Sequence, residues 1–342
     1  MATKSLAVKY RPATFSDVTE QASVKIILQQ QLASNEVKHA YLFVGGAGTG
    51  KTTCARIFAN EINKGQGNPI EMDAASNSGV DDVRNIIQQA QTKSLDSEYK
   101  VFIIDECHSI SNTGWQAFLK LIEEPPAKSI FIFCTTDPQK IPKTILSRVQ
   151  RYDFHRISQA GIVDRLTLII QLEKLSNPEI SAKTDAIEYI AKIADGGMRD
   201  AITLMDKCLA YSTELTLENV VKALGTTDYT TMMRLTDALC YSKIKDALTI
   251  VESLHNAGKD LKQFIKLYMN FLLDVSKYML RCDWDYISIP KLPEYEKWLN
   301  SIEELDVILR VLSVIINLNS EIKYSTAPKY DIEATFIVRF SG

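Results

Sequence analysis

Short apolar runs alternate with helical patterns in the first half of the chain. The runs cover residues 41–44, 101–104 and 130–133, and each is nearly continuous in apolar side chains. Helical patterns begin between them, at Lys51 and at about Thr113. Strands that are apolar on both faces and separated by helices are typical of a parallel sheet covered on both sides. The pattern therefore predicts an α/β fold for this part of the chain.

The second half of the chain has helical apolar spacing throughout. The first set of such residues comprises Ile162, Leu166, Ile169 and Ile170, and the next Ala186, Ile187, Ile190 and Ile193. A polar break near residues 212–214 precedes further helices, which are punctuated by Gly225, Gly258, Pro290 and Pro293. We therefore predict an α/β domain over residues 1–156, a helical domain over 157–212 and a second helical domain over 213–342.

Apolar stripes run along the helices predicted for the last domain. They consist of Leu248, Val251, Leu254, Leu261, Phe264, Ile265 and Tyr268. Such stripes pack either within one chain or against neighbouring subunits, and we expect most of these residues to lie in an intramolecular core.

Composition indicates a globular protein of more than one domain, without an overall charge that would attract nucleic acid. The chain has 342 residues, too many for a single core, and 46% of them are hydrophobic. Lys and Arg number 39 against 42 Asp and Glu, a net charge of -3. The whole chain therefore exerts no electrostatic pull on nucleic acid, and any DNA contact must be local.

The cysteines and the N-terminus indicate a cytoplasmic protein. The six cysteines lie far apart without metal-ligand spacing, which is typical of reduced thiols and predicts neither disulfides nor zinc. The N-terminus has no apolar signal region, and the apolar runs are too short to span a membrane. We therefore expect no membrane association.

A phosphate-binding motif lies directly after the first apolar run. Residues 45–52 read Gly-Gly-Ala-Gly-Thr-Gly-Lys-Thr, which fits G-x-x-x-x-G-K-[ST] between a strand and a helix. The backbone N–H groups of such a loop surround phosphate oxygens, and the following helix directs its positive end at the same anion. We expect Lys51 to bridge the terminal phosphates and Thr52 to offer its hydroxyl to Mg²⁺. The alternative is a glycine turn without a ligand.

Two carboxylates end the second apolar run. Asp105 is expected to hold the metal through water, and Glu106 to orient and deprotonate an attacking water. The alternative is that both acids cap the next helix. Cys107 and His108 follow directly, but no second Cys/His pair lies at ligand spacing, so the sequence disfavours a metal site there.

Several ordered strings resemble those of the gamma/tau subunits of the bacterial DNA polymerase III clamp loader, which are AAA+ ATPases. The strings are KYRP at 9–12, FSDV at 15–18, HAYLF at 39–43, DAASN at 73–77, LIEEPP at 121–126 and TTDPQK at 135–140. The resemblance extends to residues 325–339, which are similar to the closing collar helix with its acid, here Glu333. It implies an AAA+ P-loop domain over 1–156, a helical lid over 157–212 and an all-helical collar, the oligomerisation domain, over 213–342.

The resemblance also assigns residues to the site. It implies that Thr136 is a sensor near the phosphates, that Arg148 is an arginine finger reaching a neighbouring subunit's ATP, and that Arg199 is a second sensor on the lid. The alternatives are a solvated surface arginine at 148 and a lid salt bridge at 199. The expected catalytic set is Lys51, Glu106, Thr136, Arg148 and Arg199. The expected nucleotide-binding set is Tyr10, Arg11, Pro12, Val18, Gly46, Ala47, Gly48, Thr49, Gly50, Lys51, Thr52, Thr53 and Arg199, with Thr52 and Asp105 serving Mg²⁺.

The function that the resemblance implies is ATP-driven clamp loading. ATP binding would drive opening of a sliding clamp and its loading on primer-template DNA, and hydrolysis would release the clamp. The implied partners are copies of the chain and delta- and delta-prime-like subunits in a heteropentamer. We expect DNA contacts at Asn112, Thr113 and Thr144, although helix capping is an alternative role for Thr113.

The chain departs from the family pattern in three ways. Residues 61–72 alone bridge the gap where the family inserts a four-cysteine zinc module, so we expect no zinc. Val149 replaces the cysteine after the finger arginine, and the chain ends after the collar as in a short, gamma-like form. The sequence disfavours two other functions. The intact phosphate loop and the acids Asp105 and Glu106 argue against a non-hydrolysing subunit of the same ring, and the helical C-terminal part does not resemble the DNA-binding winged module of a branch-migration motor.

Overall fold

The computed structural model describes residues 4–77, 79–92, 94, 96–224 and 229–340. The chain divides into two compact units, Met1–Thr213 and Glu214–Gly342. Gly225, at which the sequence analysis placed a helix boundary, lies outside the described residues. The further division of the first unit at residue 156 stays a prediction.

The first unit contains a five-stranded parallel sheet with the strand order β2-β3-β4-β1-β5. The prediction of an α/β fold with a parallel sheet is confirmed, and the three predicted strands are β1, β3 and β4. The outer strands β2 and β5 were not predicted. The strands are β1 (Ala40–Gly45), β2 (Ile70–Asp73), β3 (Lys100–Asp105), β4 (Ser129–Thr135) and β5 (Gln150–Phe154).

Helices cover both faces of the sheet and continue to the end of the first unit. Leu42, Phe131 and Phe133 face one core, with Trp115 and Phe118 packed on them. The other face packs on the helix that follows the phosphate loop. The helices are α1 (Leu6–Lys9), α2 (Ala22–Ser34), α3 (Lys51–Ile62), α4 (Val80–Gln91), α5 (Asn112–Glu123), α6 (Lys143–Leu146), α7 (Gln159–Ser176), α8 (Thr184–Ile193) and α9 (Met198–Tyr211), with a short strand β6 (Ser181–Ala182) before α8.

The strand order brings the candidate functional residues to one edge of the sheet. The chain crosses from β1 outward to both sides, and parallel sheets bind ligands at the carboxyl ends of strands beside such a reversal. The phosphate loop follows β1, Asp105 ends β3 and Thr135 ends β4. Topology thus gathers segments that lie up to about ninety residues apart in sequence.

The second unit is helical around its own core. Val251, Leu254, Phe264 and Tyr268 are buried there, as predicted, whereas Leu248 is partly exposed. None of the helices in the described part of the chain is long and apolar enough to cross a bilayer. The elements are β7 (Glu214–Leu215), α10 (Leu217–Leu224), α11 (Tyr229–Cys240), α12 (Ile244–Asn256), α13 (Leu261–Met279), α14 (Pro293–Asn300), α15 (Leu305–Ile322) and α16 (Pro328–Phe340).

Candidate nucleotide-binding site

The phosphate loop curls around a buried cation. Gly48 and Gly50 have φ values of 69° and 102°, which glycine adopts without steric cost. Lys51 begins α3, and its Nζ donates hydrogen bonds to the carbonyl oxygens of Gly45 at 2.9 Å and Gly46 at 2.8 Å. Burial lowers the pKa of Lys51, while nearby acidic groups, including Glu106, act in the opposite direction. Two carbonyl oxygens of the loop therefore fix the position of the Lys51 ammonium group at the start of α3.

The helix that carries Arg199 is docked on this loop. The backbone N–H of Met198 donates to the carbonyl oxygen of Gly48 at 3.0 Å. A Cβ on Gly48 would lie 3.0 Å from the Cα of Gly197, so the two backbones approach closely because both residues lack side chains. This contact brings the N-terminus of α9, and with it Arg199, to the loop.

The two acids at the end of β3, Asp105 and Glu106, occupy different environments. Asp105 accepts a hydrogen bond from the Thr52 hydroxyl at 2.8 Å, which joins a carboxylate and a hydroxyl oxygen in one place. Such oxygen ligands suit Mg²⁺, which uses few protein ligands and keeps several waters, so this pair fits the predicted metal. Glu106 has a φ of 46°, in the left-handed region that a non-glycine residue adopts only at some cost. Its carboxylate accepts from the Thr136 hydroxyl at 3.2 Å.

Cys107 and His108 lie beside these acids. His108 Nδ1 lies 3.3 Å from Glu106 Oε2 and 3.2 Å from Thr135 Oγ1. Cys107 is fully buried, and burial raises the pKa of its thiol. Within the described ranges, no group of three or more His, Cys, Asp or Glu side chains could hold a metal ion. The expected absence of zinc stays a prediction.

A cavity of about 450 Å³ opens between the phosphate loop, the N-terminal segment and the helices α7 and α9. Its volume lies in the range of small-molecule sites. The predicted residues that line it are Tyr10, Arg11, Pro12, Val18, Ala47, Gly48, Thr49, Gly50, Lys51, Thr52, Thr53, Asp105, Glu106 and Arg199. Gly46, Thr136 and Arg148 are absent from this lining.

Sequence reasoning missed further residues of the lining. They are Ala7, Thr19, Arg56, Ile157, Arg165, Met198, Asp200 and Ile202. Arg56 had a detectable signal, because it follows Thr52 by one helical turn and therefore shares its face of α3. Arg165 had none, because only the tertiary fold brings α7 to the N-terminal segment.

Arg148 lies outside its own chain's cavity. It follows α6, and its Nη2 pairs with Glu123 Oε1 at 2.7 Å. Its Nη1 donates to the carbonyl oxygen of Thr144 at 2.8 Å, and 39% of its side chain is exposed. The guanidinium is therefore held in a defined, accessible position.

The residues expected to contact DNA are exposed at helix starts. Asn112 and Thr113 lie in the first turn of α5, and Thr144 lies in α6. Ser111 caps α5 by accepting from the Gly114 N–H at 3.2 Å, and the Thr113 hydroxyl contacts the Ser111 hydroxyl at 3.1 Å. The capping role weighed for Thr113 therefore belongs to Ser111.

Comparisons with known families cover most of the chain. Residues 68–158 match the family described as DNA polymerase III, delta subunit. Residues 162–214 match the DNA polymerase III clamp loader subunit, ATPase lid domain, and residues 215–334 match DNA polymerase III subunits gamma and tau domain III. DNA polymerase III subunit tau of Bacillus subtilis is 34% identical over 98% of this chain. The chain belongs to the DNA polymerase III gamma/tau family.

This gamma/tau chain spans only part of its relatives. It covers 63% of the Bacillus subtilis subunit, and 48% of the Mycobacterium bovis gamma/tau subunit, to which it is 35% identical over 75% of its own length. Among solved structures, the RuvB Holliday junction branch migration motor of Thermotoga maritima aligns with a TM-score of 0.51 and 19% identity, over 67% of this chain and 79% of that one. That likeness shows a shared fold.

Proposed function

We propose that this gamma/tau chain is an ATP-hydrolysing subunit of a DNA polymerase III clamp loader. The observation that carries the proposal is the convergence of Lys51, Thr52, Asp105 and Glu106 on one cavity at the carboxyl edge of the sheet. A cation, a hydroxyl, a metal-binding carboxylate and a second carboxylate are the groups that phosphoryl transfer to water requires.

Each group has a defined task in the proposed reaction. The loop N–H groups and Lys51 bind the phosphates, and Thr52 and Asp105 would hold Mg²⁺. The bound metal neutralises charge on the phosphate oxygens. Glu106 accepts the proton of the attacking water, and Thr136 orients that carboxylate through its 3.2 Å hydrogen bond.

Hydrolysis is proposed to depend on a neighbouring subunit. Arg148 is exposed and absent from the lining of its own cavity, which supports a role at a neighbour's ATP. A guanidinium delivered to the γ-phosphate raises turnover by roughly 10³ to 10⁵ in related chemistry. We propose a cytoplasmic heteropentamer of copies of this chain with delta- and delta-prime-like subunits, which opens a sliding clamp on primer-template DNA.

The two other functions have less support. A non-hydrolysing ring subunit would not require the Thr52–Asp105 and Thr136–Glu106 contacts. A branch-migration motor shares the AAA+ fold, but residues 215–334 match the gamma and tau domain III family.

Replacement of the loop lysine tests nucleotide use. Lys51→Ala should abolish ATP turnover without loss of the folded state, because the cation that contacts the terminal phosphates is removed. Retention of labelled ATP with Mg²⁺ and phosphate release should be measured beside Lys174→Ala, an exposed lysine on α7. A wild-type protein that retains no labelled ATP would overturn the proposal.

Replacement of Arg148 tests the subunit interface. Arg148→Ala should leave ATP affinity of the isolated chain unchanged and slow turnover by the assembled ring at least roughly 10³-fold. The ring's rate should rise with primed DNA plus clamp, whereas a motor's rate would respond to DNA alone. Loss of ATP affinity in the isolated variant would show that Arg148 acts within its own chain.

A further inference from the structure

An acidic side chain of the lid region contacts the N-terminal wall of the cavity. Glu173 on α7 lies 2.6 Å from Lys9 Nζ through Oε1, and the same oxygen accepts a 2.6 Å hydrogen bond from the Tyr10 hydroxyl. Only 15% of the Glu173 side chain is exposed. The residues lie more than 160 positions apart, so the tertiary fold alone creates the contact.

Other contacts attach the same segment to the same helices. Arg165, also on α7, donates to the Tyr10 carbonyl oxygen at 2.9 Å. The Leu6 N–H donates to Asp206 on α9 at 3.0 Å, and α1 packs against α9. The segment that supplies Tyr10 to the cavity is therefore held by α7 and α9, two helices that also line the cavity.

The electrostatics favour an ionised Glu173. Burial acts to raise its pKa, but the hydrogen bonds from Lys9 and Tyr10 outweigh this effect and lower the pKa overall. A charged acceptor forms a stronger hydrogen bond to a phenol than a neutral one does. Tyr10 is thus fixed by a carboxylate from another part of the chain.

We propose that Glu173 is a positioning residue for the nucleoside part of the bound nucleotide. The phosphate loop forms one part of the cavity lining. The N-terminal segment forms another part, with Tyr10, Arg11, Pro12 and Val18. Glu173 holds this wall in place through Tyr10, so affinity for the nucleoside depends on α7. The inference rests on the proposed ATP site and adds a residue that determines its affinity.

The test separates nucleoside contacts from phosphate contacts. Glu173→Gln should weaken ATP binding by roughly tenfold, because a neutral acceptor replaces a charged one, and should leave the affinity for inorganic tripolyphosphate unchanged. Turnover at saturating ATP should stay within about twofold of wild type, because Glu173 does not touch the reacting groups. Asp164→Asn, exposed on the same helix, is the matched control and should bind both ligands as wild type does.

A double-mutant cycle tests whether the effect passes through Tyr10. Tyr10→Phe removes the hydroxyl and should weaken ATP binding by itself, and Glu173→Gln should add little in that background. Equal losses of ATP and tripolyphosphate affinity, or wild-type ATP affinity in Glu173→Gln, would overturn the inference. Failure of the wild-type chain to bind either ligand would instead overturn the proposed function.

Discussion

At the scale of single residues, the site depends on Glu106, whose backbone adopts a conformation that residues with a side chain rarely take. Glu106 adopts a φ of 46°, and its own N–H donates to the Asp105 carboxylate at 3.1 Å. This turn directs two consecutive acids to different partners, Asp105 to Thr52 and Glu106 to Thr136. This geometry is compatible with the roles proposed above for the two acids, Asp105 at a metal and Glu106 at the attacking water.

Replacement of Glu106 should separate binding from chemistry. Glu106→Gln keeps the size of the side chain and removes its basicity, so ATP affinity should be retained while turnover falls by roughly 10² to 10⁴. Single-turnover hydrolysis of labelled ATP measures the change, with the exposed Glu98→Gln as control. Hydrolysis at the wild-type rate would remove Glu106 from the role of general base.

At the scale of elements, the end of β1 is fixed against β5. A Cβ on Gly45 would lie 2.5 Å from the carbonyl oxygen of Phe154 and 2.8 Å from its Cβ. At the next position, a Cβ on Gly46 would meet no heavy atom closer than Thr49 Cγ2 at 3.8 Å. The first glycine of the motif thus serves the packing of the sheet.

Paired alanine substitutions test this difference. Gly45→Ala must displace β5 backbone, which we expect to cost about 1–3 kcal/mol of unfolding free energy, as overpacking does elsewhere. Gly46→Ala should change stability by less than about 0.5 kcal/mol, because the space is open. Thermal denaturation followed by circular dichroism measures both variants, and equal melting temperatures would contradict the packing argument.

At the scale of the whole molecule, each of the two units has a core built from its own residues. The core of the second unit consists of residues from Met232 to Phe340, and the cores on the sheet consist of residues from Phe15 to Phe154. The residues that line the candidate cavity all belong to the first unit. Ligand binding should therefore stabilise one unit in particular.

Calorimetry of the intact chain tests this expectation. Two thermal transitions should be resolved, and ATP with Mg²⁺ at about 100 times its Kd should stabilise the first unit by about 2.7 kcal/mol. For a unit of this size the melting temperature should rise by roughly 5–10 °C. In Lys51→Ala neither transition should move. A single transition for the whole wild-type chain, or an equal shift of two transitions, would contradict the expectation that ATP stabilises one unit.

The strands show how far the sequence could predict the fold. Strands β1, β3 and β4 are central and buried on both faces, so their continuous apolar runs identify them. The outer strands β2 and β5 have exposed residues, such as Glu71 and Arg151, next to buried ones. Their patterns are short and mixed because an outer strand has less surface to bury.

The sequence by itself determined the parallel α/β fold and the segments that bring chemistry to the sheet edge, because apolar period and motif spacing are local properties, and its ordered strings identified the resemblance to the gamma/tau family. Only the tertiary structure decided that Arg165, Asp200 and Ile202 line the cavity and that Glu173 holds Tyr10. It also shows that Arg148, expected from the sequence to act at a neighbouring subunit, is absent from the lining of its own chain's cavity. The cavity lining and the Glu173–Tyr10 contact join residues that lie far apart in sequence. No local pattern of apolar residues predicts them, because they form only when the chain packs into its tertiary structure.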